Sequence, residues 1–136
     1  MTAGYSGTPL AKKLGYKPGF HTLWLDEPPD YPAWLAPLPD NIVIDREPAK
    51  PPYDLIHLFV ATAADLDRQL PVTRAAMTAD GMIWVSWYKQ AAKIPTDVTE
   101  DLIRARALKT DLVDVKVCAV SDIWSGLKLV IRKALR

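Results

Sequence analysis

The stretch Asp80-Gly81-Met82-Ile83-Trp84-Val85-Ser86-Trp87-Tyr88-Lys89 limits what this 136-residue chain can fold into more than any other. Asp-Gly is a turn dipeptide. The run behind it has no polar residue until Ser86. A strand that is apolar on both faces is covered on both faces, which predicts the central strand of a parallel sheet held between helices. Its far end turns polar at Ser86, Tyr88 and Lys89. In open α/β sheets ligands sit beyond the carboxyl ends of such strands, so the same stretch marks the place to look for a function.

The rest of the chain supplies the partners of that strand. Thr8 to Gly15 reads as a short helix, with Thr8 and Pro9 at its start and Gly15 closing it in the left-handed conformation. Phe20 to Asp26 reads as a buried strand ending in an acid. Residues 27–52 hold eight of the 12 prolines, a density that excludes long helices and central strands. Within them a single helical turn at Tyr31–Leu35 and a short strand at Asn41–Asp45 are expected. Tyr53–Val60 is a second buried strand. Thr62 and Asp65 have capping-box spacing before a helix that Pro71 should break, with a second segment carrying Val72 to Met77. Asp97 and Glu100 open another helix with a buried stripe at Val98, Leu102, Ala105 and Leu108. Val113 to Ala119 alternates like a strand near a sheet edge, and Leu127 to Ile131 follows a turn at Ser121–Gly126 as its antiparallel partner. The expected architecture is a single α/β domain over 1–136: a mostly parallel sheet with a closing antiparallel C-terminal hairpin.

Bulk composition narrows the setting. The formal net charge is +1, which provides no overall basic field for nucleic acid. The basic cluster Arg132, Lys133 and Arg136 reads as a solvated chain end. Cys118 is the single cysteine, so no intrachain disulfide forms, as suits a reducing compartment. Residues 1–20 contain no apolar signal core, and no apolar run approaches the roughly 20 residues that span a bilayer. The expectation is a soluble cytoplasmic protein, with residues 1–7 weakly ordered.

The order of elements resembles the class I methyltransferase-type Rossmann fold, whose sheet ends in an antiparallel seventh strand. Leu14-Gly15-Tyr16-Lys17-Pro18-Gly19 leads into strand one as it commonly does in that superfamily; Tyr53-Asp54-Leu55-Ile56 resembles its fourth strand and Thr78-Ala79-Asp80-Gly81 the turn into its fifth. Only about nine residues separate Asp45 from the strand near Leu55, fewer than the roughly 10–12 a parallel crossover needs, so the sheet is expected to be truncated. Gly7–Gly15, Ile56-His57-Leu58-Phe59-Val60, Trp84-Val85-Ser86-Trp87, Pro95-Thr96-Asp97 and Val113–Val120 resemble, in addition, a family of small bacterial proteins catalogued as a domain of unknown function. That resemblance carries no activity.

Methyltransferases of this fold place a glycine-rich turn after strand one, where backbone approaches the cofactor. Here the segment is Asp26-Glu27-Pro28-Pro29-Asp30-Tyr31-Pro32, without a glycine. Its prolines remove amide donors and its acids repel phosphate. The first expectation is therefore no cofactor, and a non-catalytic binding or interaction protein on a methyltransferase-like scaffold. A second keeps an enzyme: a divergent S-adenosylmethionine-dependent methyltransferase using Asp26, Asp45 and the Ser86–Lys89 end of the sheet, with Asp45 placed to hold a ribose hydroxyl. An open crevice beside Asp26 separates the two; if residues 27–52 fill it, the enzyme fails. A third is a small-anion module at Ser86, Tyr88, Lys89, Lys93 and Thr96, beside a helix N-terminus. The partners expected are a protein or a small anionic ligand, with nucleic acid and membrane set aside. His57, inside an apolar strand, reads as a hydrogen-bonded core histidine, and Cys118 as a structural thiol. Trp24 and Trp84 read as core, while Trp34, Trp87 and Trp124 fall where they can line a pocket. The exposed edge near Ile42–Ile44 is expected to be covered by the proline-rich segment. Two histidines and one cysteine make no metal spacing.

Overall fold

A computed structural model describes residues 8–136; the expectation for residues 1–7, and the first residue of the Gly7–Gly15 motif, lie outside them. The six strands are β1 (His21–Leu25), β2 (Val43–Asp45), β3 (Tyr53–Phe59), β4 (Met77–Tyr88), β5 (Leu112–Ala119) and β6 (Trp124–Ile131). They form one sheet in the order β2-β1-β3-β4-β6-β5. The pairs β1–β2, β1–β3 and β3–β4 are parallel, and β6 inserts antiparallel between β4 and β5. The α/β class, the truncated sheet and the closing hairpin are therefore as expected. Only seven residues, 46–52, separate β2 from β3, and among the described residues no strand stands between them in the sequence or beyond β2 in the sheet.

Two layers cover the sheet. Helices α3 (Ala63–Ala76) and α4 (Glu100–Leu108) lie on one face, over Leu23, Ile56, Leu58, Ile83, Val85 and Leu127. Helices α1 (Leu10–Leu14) and α2 (Tyr31–Leu35) lie on the other, over Trp24, Leu55, Phe59 and Trp84. Residues 83–87 of β4 are buried throughout, which is why both of its faces are apolar. Gly15 closes α1 at φ 91° with its amide on the carbonyls of Ala11 and Lys12, the left-handed cap that glycine adopts without strain. The predicted single turn at Tyr31–Leu35 forms over those residues.

Six local expectations are corrected. Asp80-Gly81 is not a turn before the strand but part of β4, at an irregularity where Tyr53 pairs Met77 while Leu55 pairs Met82. The extra residues fold tightly: a Cβ on Gly81 would sit 2.7 Å from Thr78 Oγ1 and 3.1 Å from the Asp54 carbonyl. Pro71 does not break its helix, since α3 runs from Ala63 to Ala76. Leu66, Leu70, Thr73 and Ala76 bury one stripe while Pro71 faces solvent, and that burial outweighs the ~3 kcal/mol that an interior proline costs. Thr99, not Asp97, caps α4, its Oγ1 accepting from the Leu102 amide at 3.1 Å. Asp97 accepts instead from the Ala63 amide at 2.7 Å and ties the start of α3 to the loop before α4. The buried stripe is Val98, Ile103 and Ala107, with Leu108 48% exposed. Lastly, Trp124-Ser125-Gly126 belongs to β6 rather than to a turn, and β2 is not covered, because Val43 is 52% exposed on the outer edge.

α3 is clamped to the start of β5 by a two-pronged ion pair, Arg74 Nε and Nη2 donating to the two Asp111 carboxylate oxygens at 2.7 and 2.8 Å. These bonds hold the Asp111 carboxyl below its ordinary range. Forked pairs of this kind are geometrically selective and stronger than single contacts. Arg74→Ala is expected to lower stability by about 1–2 kcal/mol in chemical denaturation, and Arg74→Lys to recover less than half of it.

Candidate functional site

At the carboxyl edge of the parallel strands, β1 ends at Leu25 with Asp26 next, β3 ends at Phe59 and β4 at Tyr88, and antiparallel β6 begins there with Trp124. Strand order reverses between β1 and β3, the topological switch point where open α/β sheets bind ligands. A cavity of about 390 Å³ opens at this edge, lined by Asp26, Pro28, Phe59, Asp65, Tyr88 and Trp124 among others. Residues 27–52 flank it without filling it: Pro28 and Pro29 form one wall, and the chain then turns away into α2. Asp26 is exposed and held at φ 60°, a left-handed backbone that an L residue adopts at a cost of ~1–2 kcal/mol. That kink turns the chain from β1 along the rim of the cavity.

The floor is aromatic. Tyr88 stacks on Trp124 with ring centroids 4.1 Å apart, and Phe59 meets Trp124 edge-on at 5.1 Å. Asp26 and Asp65 stand at its margins, Asp65 also pairing with Arg68 at 2.7 Å. Aromatic faces and carboxylates together favour a planar ligand that carries positive charge.

Beneath the floor runs a buried polar chain. Trp24 Nε1–H donates to the Tyr16 oxygen at 2.9 Å, Tyr16 and Tyr31 hydroxyls meet at 2.8 Å, Tyr31 meets His57 Nδ1 at 2.5 Å, and His57 Nε2 meets Ser86 Oγ at 2.7 Å. Indole is only a donor, so the Tyr16 oxygen accepts from Trp24. A neutral His57 donates from one ring nitrogen and accepts at the other, so it serves Tyr31 and Ser86 together. Burial pushes both tyrosines above their ordinary range and drives the imidazole down to about 3; His57 is thus the neutral core histidine that the sequence suggests. It stacks on Phe59 at 4.2 Å. Through Tyr31 the chain anchors the segment that follows the cavity wall.

The other candidate residues are dispersed. Asp45 does not reach the cavity: its Oδ2 accepts from Tyr53 OH at 2.8 Å and meets His21 Nε2 at 2.9 Å, at residues that open β3 and β1 rather than close them. Those two bonds, Tyr53 first, hold its carboxyl below the usual range. Ser86 is fully buried against His57. The Thr96 hydroxyl donates to the Ala61 carbonyl at 2.6 Å and accepts from the Val98 amide at 3.1 Å. The Lys89 amide bonds to the Ile123 carbonyl at 2.8 Å, and Lys93 is exposed at φ 55°. Tyr88 alone of that set lines the cavity. A second cavity of about 380 Å³ lies between Trp87, Tyr88 and the start of α4. Cys118 is half-buried, and burial pushes its thiol up. Phe59 and Asp65 enter the site unannounced by sequence, since each looks like an ordinary strand or cap residue.

No family model matches the chain, and no curated protein matches it. Solved structures do. The ribosomal protein L11 methylase of Lactobacillus delbrueckii subsp. bulgaricus superposes with a TM-score of 0.56 at 13% identity, covering 90% of this chain and 74% of that one. A putative type 11 methyltransferase from Sulfolobus solfataricus gives 0.55 at 13%, covering 82% and 85%. DhpI in complex with SAH gives 0.55 at 11%, covering 90% and 83%. The fold is methyltransferase-like. The expectation of no cofactor is corrected on this finding, because the fold matched here is one that holds SAH in DhpI. No helix among the described residues is long and apolar enough to cross a membrane.

The residues present fit part of such a cofactor. Carboxylates and aromatic rings suit a sulfonium, an ammonium and a purine. A glycine turn that lets backbone approach the ligand is missing between residues 26 and 32.

Proposed function

We propose that the cavity beside Asp26 binds S-adenosylmethionine and that the protein is a divergent methyltransferase. The observation that carries this reading is the open, aromatic-floored crevice at the switch point, with Asp26 on its rim. The similarity of fold to a protein complexed with SAH supports it. With the glycine turn replaced by Pro28-Pro29, side chains take over the part that backbone plays in the usual mode. Asp26 and Asp65 face the cationic end of the ligand, and Phe59, Tyr88 and Trp124 its plane. When bound, the cofactor supplies the methyl group; the chain binds and orients it and excludes water with its proline and aromatic walls.

Calorimetric titration with S-adenosylmethionine and its demethylated product tests the proposal. Micromolar binding is expected, weakened about tenfold by Asp26→Ala, equivalent to about 1.4 kcal/mol. Asp45→Ala is expected to leave affinity unchanged, because that carboxylate is bonded to Tyr53 and His21. Absence of heat at millimolar ligand, or equal weakening by both variants, overturns it.

A further inference from the structure

The basic residues of this chain divide by type. Among the described residues every ion pair engages an arginine or a histidine, as in Arg46–Glu27, Arg74–Asp111 and Arg106–Asp67. No lysine pairs with a carboxylate there, and residues 1–7 contain no Asp or Glu. Four of these lysines come together. Lys116 on β5 stands directly opposite Lys128 on β6. Lys116 Nζ donates to the Lys13 carbonyl at 3.4 Å, which brings the end of α1 to the same place. Lys17 follows α1 by three residues. Burial first, and then Lys116 and Lys17, lower the Lys128 ammonium below its ordinary range; no carboxylate acts on it.

Like charges directly opposite in a sheet destabilise it by some tenths of a kcal/mol. A chain with 16 acidic residues has the means to neutralise such a pair, yet here Lys116 faces Lys128, Lys17 acts on the same ammonium, and Lys13 adjoins Lys116. A bound anion removes that repulsion. Lys17 and Lys116 are exposed and Lys13 and Lys128 partly so, and a row of cations spread over a surface suits an extended polyanion. Lys128 and Trp124 lie on one face of β6, four residues and roughly 13 Å apart. Trp124 is buried, and the partly exposed Tyr88 stacked on it presents its outer face at the cavity floor. Ammonium groups beside stacked aromatics are the elements that hold a single strand, its phosphates on the cations and a base on the rings.

We propose that the face formed by Lys13, Lys17, Lys116 and Lys128 binds the phosphate backbone of a single-stranded nucleic acid, with its path leading toward the Tyr88–Trp124 pair. This inference needs no cofactor. The net charge of +1 hides the face, because the arginine-rich helices elsewhere carry the balancing acids.

Fluorescence anisotropy with labelled single-stranded RNA and DNA of about 20 nucleotides, without S-adenosylmethionine, tests it. Each phosphate contact contributes about −0.7 to the log–log salt slope of a single strand. Four contacts predict affinity about fifty-fold weaker at 200 mM than at 50 mM salt. The Lys116→Gln/Lys128→Gln variant should lose about tenfold in affinity while melting no lower than the parent, since it removes a like-charge contact. Lys17→Ala, at an exposed position, should lose about threefold. Lys109→Glu, an exposed lysine outside the face, should change binding less than twofold. Absence of binding at 50 mM salt, salt-independent binding, or an equal loss with Lys109→Glu overturns the proposal. Binding to phosphatidylserine vesicles without binding to either oligonucleotide overturns it in favour of a lipid surface. The calorimetric result with S-adenosylmethionine is read separately, so either proposal fails without the other.

Discussion

Trp84→Ala is expected to remove 4 kcal/mol or more of folding stability, roughly half of what a domain of this kind possesses. Trp84 is fully buried in the middle of β4 and fills the layer between the sheet and α1. Its Nε1–H donates to the Leu14 carbonyl at 2.7 Å, the last residue of that helix. Truncation leaves a cavity, at about 3–5 kcal/mol for a large aromatic, and strips a buried carbonyl of its donor, at about 1–3 kcal/mol. Relaxation of α1 recovers part of the sum. Trp84→Phe keeps most of the packing and loses only the donor, so its cost should be about half. Urea unfolding followed by circular dichroism measures both. A loss under about 2 kcal/mol for the alanine variant contradicts the packing described here.

The second large effect is on pH dependence. The folded protein holds the His57 imidazole down at about 3, against an ordinary value of 6.5, because burial opposes its charge. Below pH 6.5 the unfolded chain takes up a proton at this residue and the folded chain does not. Stability is therefore fully present above 6.5 and falls by about 1.4 kcal/mol per pH unit until the folded value is reached. Between pH 7 and 4.5 the expected loss is about 2.5 kcal/mol. Stopping at 4.5 keeps the titration clear of Asp45 and Asp111, whose depressed carboxyls withdraw their own stabilisation only at lower pH. His57→Gln retains a donor and an acceptor for Ser86 and Tyr31 and has no proton to take up. It should be less stable at pH 7 yet lose under about 1 kcal/mol over the same interval. Parallel pH profiles for the two proteins would exclude His57 as the source.

The cavity also explains why its wall is built as it is. Asp26 is placed by a left-handed kink, and the prolines that follow have no amide N–H and little freedom. Tyr31 then fixes the far end of the wall through the hydroxyl chain to His57. A change deep in the core at Tyr31 or His57 thus bears on a surface cavity without touching it.

What the sequence determined by itself is the architecture. An apolar run at 83–87, alternation at 113–119 and 127–131, and a short gap after Asp45 are local signals, and each reports how a segment is buried. Burial period is set by neighbours two or four residues away, so it survives in one dimension. Tertiary structure decided everything that depends on which segments meet. Pro71 stays helical because a buried stripe holds it. Asp97 leaves the cap of α4 because the amide of Ala63, 34 residues away, is within reach. Asp45, at the end of a strand by sequence, points back to His21 and Tyr53. The partners of His57 stand 26 and 29 residues from it, and the cavity draws on five separate segments. Lys13 meets Lys116 across 103 residues. Those meetings follow from strand order and register, which no local periodicity encodes.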